Sequence, residues 1–279
     1  MVTFPKAKIN IGLTIVRKRD DGFHDIETIF YPAGLSDALE FVVSEAGLGP
    51  DELTVTGVAA GCRPEENLVI KAVNLLRAKY KIPFLRIHLH KVIPPGSGLG
   101  GGSSDASAML MLLNRTFKLQ IGRQELEDMA LKLGSDCPFF IQGSPVLATG
   151  RGEVFTSLPC FLDGYYLVIV RENIHISTPL AYANSKPHGK TSGLEELIKA
   201  PLEEWKNNIK NDFEEYAFRE HPRLELLKQG LYDSGALYSS MSGSGSAIYG
   251  IFRTKPESPP PGNIIWQGWP KLFLNENTE

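Results

Sequence analysis

Apolar and polar residues alternate from Leu85 to Ile93. Leu85, Ile87 and Leu89 fall on one side and Arg86, His88 and His90 on the other, the period-two signature of a half-buried strand. After Ser103 the period changes. Ala106, Met109, Leu110, Leu113 and Phe117 recur at helical spacing, with Ser103 or Ser104 as the expected N-cap and Asp105 in the first turn. The same reading predicts strands over Lys6 to Val16, Asp51 to Gly57 and Tyr165 to Val170, and on both sides of a Ser/Gly loop in Gly235 to Phe252. In the first of these, Ile9, Ile11 and Leu13 oppose Lys8 and Asn10, and Asp21-Gly22 marks a turn into the next strand-like run. Helices are predicted over Glu66 to Tyr80, Arg123 to Leu133, Leu194 to Ile198, Leu202 to Phe218 and Pro222 to Leu231. Asn67 stands where an N-cap belongs and Gly134 where a left-handed C-cap belongs. The tail has a proline break followed by one last strand.

Between the Leu85 strand and the helix that follows lie Gly96, Gly98, Gly100, Gly101 and Gly102, interleaved with Ser97, Ser103 and Ser104. A strand, a glycine-rich loop and a helix N-terminus in series form an anion site. Glycines let the backbone approach the ligand, N–H groups point inward, and the helix dipole favours negative charge. The implied ligand is a polyphosphate. A Walker A loop is excluded, because Gly102 stands where its lysine is needed. A dinucleotide fingerprint fits at Gly96, Gly98 and Gly101, but the chain continues IGRQELEDMALKLG, a helix where a second strand ending in an acidic residue is required. A flexible linker is disfavoured by the strand and helix that bracket the loop tightly.

Composition narrows the class. A chain of 279 residues suffices for two compact domains, and 42% hydrophobic with 22% charged residues is ordinary globular usage. A net charge of −3 argues against a nucleic-acid surface. Cys62, Cys137 and Cys160 are odd in number and widely spaced, as expected of reduced thiols in the cytoplasm and not of a disulfide framework or zinc site. No signal peptide is read at the N-terminus and no run approaches a membrane span, so no membrane partner is expected. His88 and His90 share a strand face without a third ligand, and no metal site is assigned to them.

Pro94 to Ser104 resembles the phosphate loop of the GHMP kinases, whose pattern is Pro-x-x-x-Gly-Leu-Gly-Ser/Gly-Ser-Ser. Five more words resemble one branch of that superfamily, and they come in its order. They are Ala7-Lys8-Ile9-Asn10, Arg19 to Thr28 with Phe23-His24, Gly134 to Phe140 with the Thr149 to Glu153 word, and Ser177 to Tyr182. Met241 to Ser246 resembles the superfamily's third motif, whose glycine loop packs near the phosphate loop. The resemblance implies an α+β, two-domain GHMP fold, with an N-terminal ribosomal-protein-S5-domain-2-like part and a C-terminal ferredoxin-like sandwich. A composition shift near Val154 to Gly164 sets the expected domains at 1–158, binding ATP, and 159–279.

The resemblance also implies roles. Members of the branch phosphorylate the 2-hydroxyl of a cytidine-diphosphate methylerythritol in non-mevalonate isoprenoid synthesis, using ATP and Mg²⁺. Pro94, Pro95, Gly96, Ser97, Gly98, Leu99, Gly100, Gly101, Gly102, Ser103 and Ser104 would hold the nucleotide phosphates, and Asn67 would lie near the adenine. Asp136 would accept or orient the reacting hydroxyl, with Lys8 stabilising transferred charge. Asn10 and His24 would contact the substrate, and Phe23 and Tyr182 would sandwich its cytosine. Cys137 stands where the branch usually has Val, a side chain of similar size, and no reactivity is read into it. The expected partner is that small molecule alone, the chain being a monomer or weak homodimer. The alternatives are a homoserine or mevalonate-type kinase, whose substrates offer no base to stack, and a nucleotide-binding regulator without turnover.

Overall fold

The computed structural model describes residues 1–44 and 50–270, and contacts group the chain into two compact units. One comprises Met1–Ala7, Leu35–Pro95 and Gly100–Gly143; the other comprises Lys8–Gly34, Gly96–Leu99 and the chain from Ser144 onward. This grouping is not one cut along the chain. It divides β2 (Lys6–Lys18) after Ala7 and β3 (His24–Ser36) after Gly34.

The first unit is a sheet packed with helices. Its strands run β1 (Val2–Thr3), β4 (Ala38–Val43), β6 (Leu85–Lys91), β5 (Glu52–Gly57), with β5 parallel to β6 and the other pairs antiparallel. The alternation in β6 is realised: Leu85, Ile87 and Leu89 are buried while Arg86 and His90 are exposed. With α1 (Leu68–Arg77), α2 (Gly101–Thr116), α3 (Arg123–Leu131) and α4 (Cys137–Gln142), the sheet shares one core that includes Leu39, Leu76, Met109 and Leu113. Asn67 caps α1, its Oδ1 accepting from Val69 N at 2.9 Å.

Two local expectations fail in this unit. The serines do not cap α2. Gly100, left-handed at φ +72°, takes the N-cap position with no side-chain hydrogen bond, so the helix starts earlier and Ser103 and Ser104 lie inside its first turn. Asp105 is therefore past that turn, and it is buried against Lys91 instead of facing the helix end. Nor is Gly134 left-handed. The helix closes through backbone bonds at Lys132, with φ −69°, and a Cβ on Gly134 would meet Cys137 Sγ at an ordinary 3.4 Å.

The second unit holds two sheets, one ordered β2, β3, β7 (Val146–Thr149), β8 (Val154–Ser157) and one ordered β10 (Tyr238–Met241), β11 (Ala247–Phe252), β9 (Tyr166–Arg171), β12 (Asn263–Gly268). Its helices are α5 (Thr178–Ala183), α6 (Leu194–Leu197), α7 (Trp205–Asn208), α8 (Phe213–Glu220) and α9 (Pro222–Asp233). Ile15, Val168, Val170, Leu224, Leu231 and Ile248 belong to its core. The single helix expected over Leu202 to Phe218 is broken. Leu13 N donates to Lys210 O and Asp212 N to Leu13 O, each at 2.9 Å, so the chain leaves the helix to bond an edge of β2. The last predicted strand is β12, and the part of that tail beyond residue 270 lies outside the described residues.

Candidate active site

β2 carries a polar row that is not solvated. Lys8 and Asn10 are each 3% exposed, so the amine and amide are interior groups that need partners. They find them within the second unit. Lys8 Nζ donates to Asn10 Oδ1, Asn10 Nδ2 donates to Thr28 Oγ1 at 3.0 Å, and Thr28 Oγ1 donates to Gly12 O at 2.5 Å. The Lys8 ammonium also stands 4.7 Å from the Phe30 ring centroid. At the backbone, Asn10 N donates to Ser242 Oγ at 3.1 Å and Tyr249 Oη donates to Asn10 O at 2.8 Å.

The Gly96–Leu99 half of the phosphate loop belongs to the same unit and is bonded to the turn between β10 and β11. Ser242 Oγ donates to Gly98 O at 2.8 Å, Ala247 N donates to Ser97 O at 3.1 Å, and Lys8 N donates to Leu99 O at 2.9 Å. The contact is so close that only glycine fits. Gly98 has φ +79°, and a Cβ there would stand 1.8 Å from Ser242 O. The third motif thus touches the phosphate loop through its own backbone.

The Gly100–Ser104 half belongs to the first unit. The helix opens there with no side-chain cap, so its first N–H groups and the positive end of its dipole form an anion cradle. Uncapped N–H groups at a helix start are the donors that a phosphate group requires. Behind it, Lys91 Nζ donates to an Asp37 carboxylate oxygen and to Asp105 Oδ2, the latter at 2.7 Å, with all three side chains at most 3% exposed. Asp37 Oδ1 accepts from Val92 N at 2.5 Å and Ile93 N at 2.8 Å, whereas Asp105 Oδ1 is buried without a hydrogen-bond partner. Burial pushes the Asp105 carboxyl up to about 7 although Lys91 opposes the shift. The cluster ties the end of β6 to the segment entering β4 and to α2.

Asp136, half-buried, precedes α4 in the first unit, and its neighbour pins that turn to α2: Ser107 Oγ donates to Cys137 O at 2.7 Å. The Cys137 thiol is wholly buried, and burial pushes it up to about 12, with the Ser103 and Ser107 hydroxyls opposing. Asp136 is thereby fixed close to the helix that begins with the phosphate loop, while Lys8 lies in the other unit. Among the described residues no three His, Cys, Asp or Glu side chains cluster as metal ligands. His88 and His90 are both hydrogen-bonded to Thr56 Oγ1, at 2.9 and 3.0 Å.

The aromatic set lies in the second unit. His24 and Tyr182 stack on each other with centroids 4.6 Å apart and planes 14° apart, and Phe213 packs edge-on to Tyr182 at 4.8 Å. Burial, followed by the Lys18 charge, holds His24 below its ordinary value. Phe23 leaves the Asp21-Gly22 turn 55% exposed, with the Arg151 guanidinium 5.0 Å over its ring. Three supporting residues have no role implied by the sequence. Arg151 and Glu27 lie inside the Thr149 to Glu153 and Arg19 to Thr28 words. Glu27 accepts from Ser192 N, Ser192 Oγ and Gly193 N and so anchors the segment before α6 to β3. Asn211 sits in a stretch read as helix interior, where the poor helix propensity of Asn and Asp was the available signal.

These features meet in one class of phosphotransferase. The pattern of the GHMP kinases N terminal domain matches residues 67–144, and that of the GHMP kinases C terminal domain matches residues 194–269. A protein of Porphyromonas gingivalis named 4-diphosphocytidyl-2-C-methyl-D-erythritol kinase is 52% identical over 92% of this chain and 94% of its own. One of the same name from Parabacteroides distasonis is 47% identical over 96% and 99%. A crystal structure of 4-(cytidine 5'-diphospho)-2C-methyl-D-erythritol kinase superposes with a TM-score of 0.75 at 32% identity, covering 90% of each chain. The chain belongs to the 4-diphosphocytidyl-2-C-methyl-D-erythritol kinase family of the GHMP kinases.

Proposed function

We propose that this enzyme transfers the terminal phosphoryl of ATP to the 2-hydroxyl of 4-diphosphocytidyl-2-C-methyl-D-erythritol, a step of non-mevalonate isoprenoid synthesis. The observation that carries the reading is the 52% identity to a kinase of that name over 92% of the chain. The buried Lys8–Asn10 network and the glycine cradle support it chemically, because phosphoryl transfer needs held phosphates, neutralised charge and an oriented hydroxyl.

In this reading the N–H groups of Gly96 to Ser104 hold the phosphates and Asn67 borders the adenine. Lys8 stabilises charge on the transferred group, and Asp136 orients the acceptor hydroxyl and takes its proton. Asn10 and His24 contact the substrate, whose cytosine stacks between Phe23 and Tyr182. Residues 1–158 are assigned to nucleotide binding and 159–279 to its C-terminal companion, a division of the sequence that the contact units cross. Mg²⁺, when bound, neutralises phosphate charge. It would be held by phosphate oxygens and water with one or two carboxylates, the usual Mg²⁺ arrangement beside nucleotide phosphates. The reaction is assigned to the cytoplasm, which the three unpaired thiols support.

Coupled ADP release with Mg·ATP and the cytidine substrate, with homoserine and mevalonate run in parallel, tests the assignment. Turnover with the cytidine substrate alone is expected. Turnover with either of the others in its place would overturn it.

A further inference from the structure

We infer that Asn211 is a positioning residue whose two amide ends serve two different subsites of the kinase. The inference rests on the functional reading above. Asn211 is 3% exposed and lies in the break between α7 and α8, held there by the paired bonds of Lys210 and Asp212 to Leu13 on β2. Its Nδ2 donates to Met241 O and to Gly243 O, both at 2.8 Å, and its Oδ1 accepts from Phe213 N at 3.0 Å. Two carbonyls on one side and an N–H on the other fix which end is nitrogen.

The nitrogen end acts on the phosphate loop. Met241 and Gly243 flank Ser242, so drawing both of their carbonyls toward Asn211 sets how the intervening residue is presented. Ser242 Oγ is then free to accept from Asn10 N and to donate to Gly98 O, and Ser242 O lies against Gly98. Losing both donors releases two buried carbonyls, and the turn that carries Ser242 loses its rear support.

The oxygen end acts on the aromatic set. It accepts from the first N–H of α8, at Phe213, and the Phe213 ring packs edge-on to Tyr182, which stacks with His24. One side chain therefore backs the nucleotide loop through its nitrogen and the cytidine pocket through its oxygen.

The substitution that separates the two is Asn211→Asp. It keeps an acceptor for Phe213 N and removes both donors. A rise of at least about tenfold in the Kd of a non-hydrolysable ATP analogue, measured by isothermal titration with Mg²⁺, is expected, as is the same rise in KM for ATP. KM for the cytidine substrate should rise several-fold less than KM for ATP, the smaller rise coming through Asn10, whose N–H Ser242 also holds. Asn211→Ala, which loses both ends, should raise both constants. A purely structural residue would lower the melting temperature and move the two constants together or not at all, and either pattern in the Asp variant overturns the inference. Should the Asp variant not fold, Asn211→Ser carries the same test, since its short hydroxyl can serve Phe213 N but not reach both carbonyls. Failure of both to fold would assign Asn211 to stability alone and equally overturn it. Absence of turnover by the unsubstituted enzyme would count against the functional reading, and the nucleotide titration would still decide the role of Asn211.

Discussion

Replacing Lys91 with Met removes the cation that pairs with both Asp37 and Asp105 while keeping most of its volume. Both carboxylates are at most 3% exposed, so neither can turn to water for the lost charge. Breaking a buried ion pair by deleting one partner costs about 3–5 kcal/mol. Asp37 keeps the N–H groups of Val92 and Ile93, whereas Asp105 has one oxygen without a partner, so the damage should concentrate on Asp105. Adding Asp105→Asn to the Met variant should recover at least about 1 kcal/mol. Urea unfolding followed by circular dichroism at pH 7.5 gives all four corners of that cycle. The cluster also has a pH signature. Its folded-state carboxyl at Asp105 lies at about 7 against an ordinary 3.8, so between those values the folded chain holds a proton that the unfolded chain releases. Stability from this group is full below about pH 4 and is lost as pH rises through about 7, with a slope of at most about 1.4 kcal/mol per pH unit. Asp105→Asn in the otherwise unchanged chain should flatten that slope. A Lys91→Met protein within about 1 kcal/mol of the parent, or an unchanged slope in the Asn variant, would refute the reasoning.

Three further outcomes are expected. Gly98→Ala combines a φ of +79° with a Cβ 1.8 Å from Ser242 O, and ADP release should fall at least about 100-fold in a protein that still folds; activity within threefold of normal would contradict the close packing. Asp136→Asn should remove most turnover and leave titrated nucleotide affinity near normal, so unchanged turnover rules out its assigned role. His24→Ala should raise KM for the cytidine substrate far more than KM for ATP. Because burial and Lys18 hold His24 below its ordinary 6.5, the imidazole is neutral at pH 7 and above. Substrate KM should therefore be flat through that range and weaken only on acidification, and equal weakening of both substrates by the Ala variant would set cytosine recognition aside.

What the sequence disclosed was mostly local. The alternation of β6 and the helical period of α2 are set by neighbours two to four residues away, and Leu85, Leu89, Met109 and Leu113 are buried as those periods require. The candidate site residues come from words such as those around Lys8, His24 and Asp136, because chemistry constrains short stretches. What stayed hidden depends on distant partners. Nothing near Asp37, Lys91 or Asp105 announces that they meet. The helix over Leu202 to Phe218 looked continuous until Leu13 drew Lys210 and Asp212 out of it. The serines after the glycine loop satisfied the rules for an N-cap, but left-handed Gly100 started the helix first. Gly134 likewise ended a helical period without adopting the backbone that its residue type permits.

The wholly buried Cys137 gives the enzyme a practical property. Its thiol, pushed up to about 12, offers almost no thiolate at neutral pH, and burial with the Asp163 charge also raises the Cys160 thiol. Cys62 is the exposed one of the three. A maleimide dye added near pH 7 should therefore attach at Cys62 before either of the others and leave the Asp136 turn chemically untouched. Cys62 is thus the preferred labelling position of the native chain, with the half-buried Cys160 reacting more slowly.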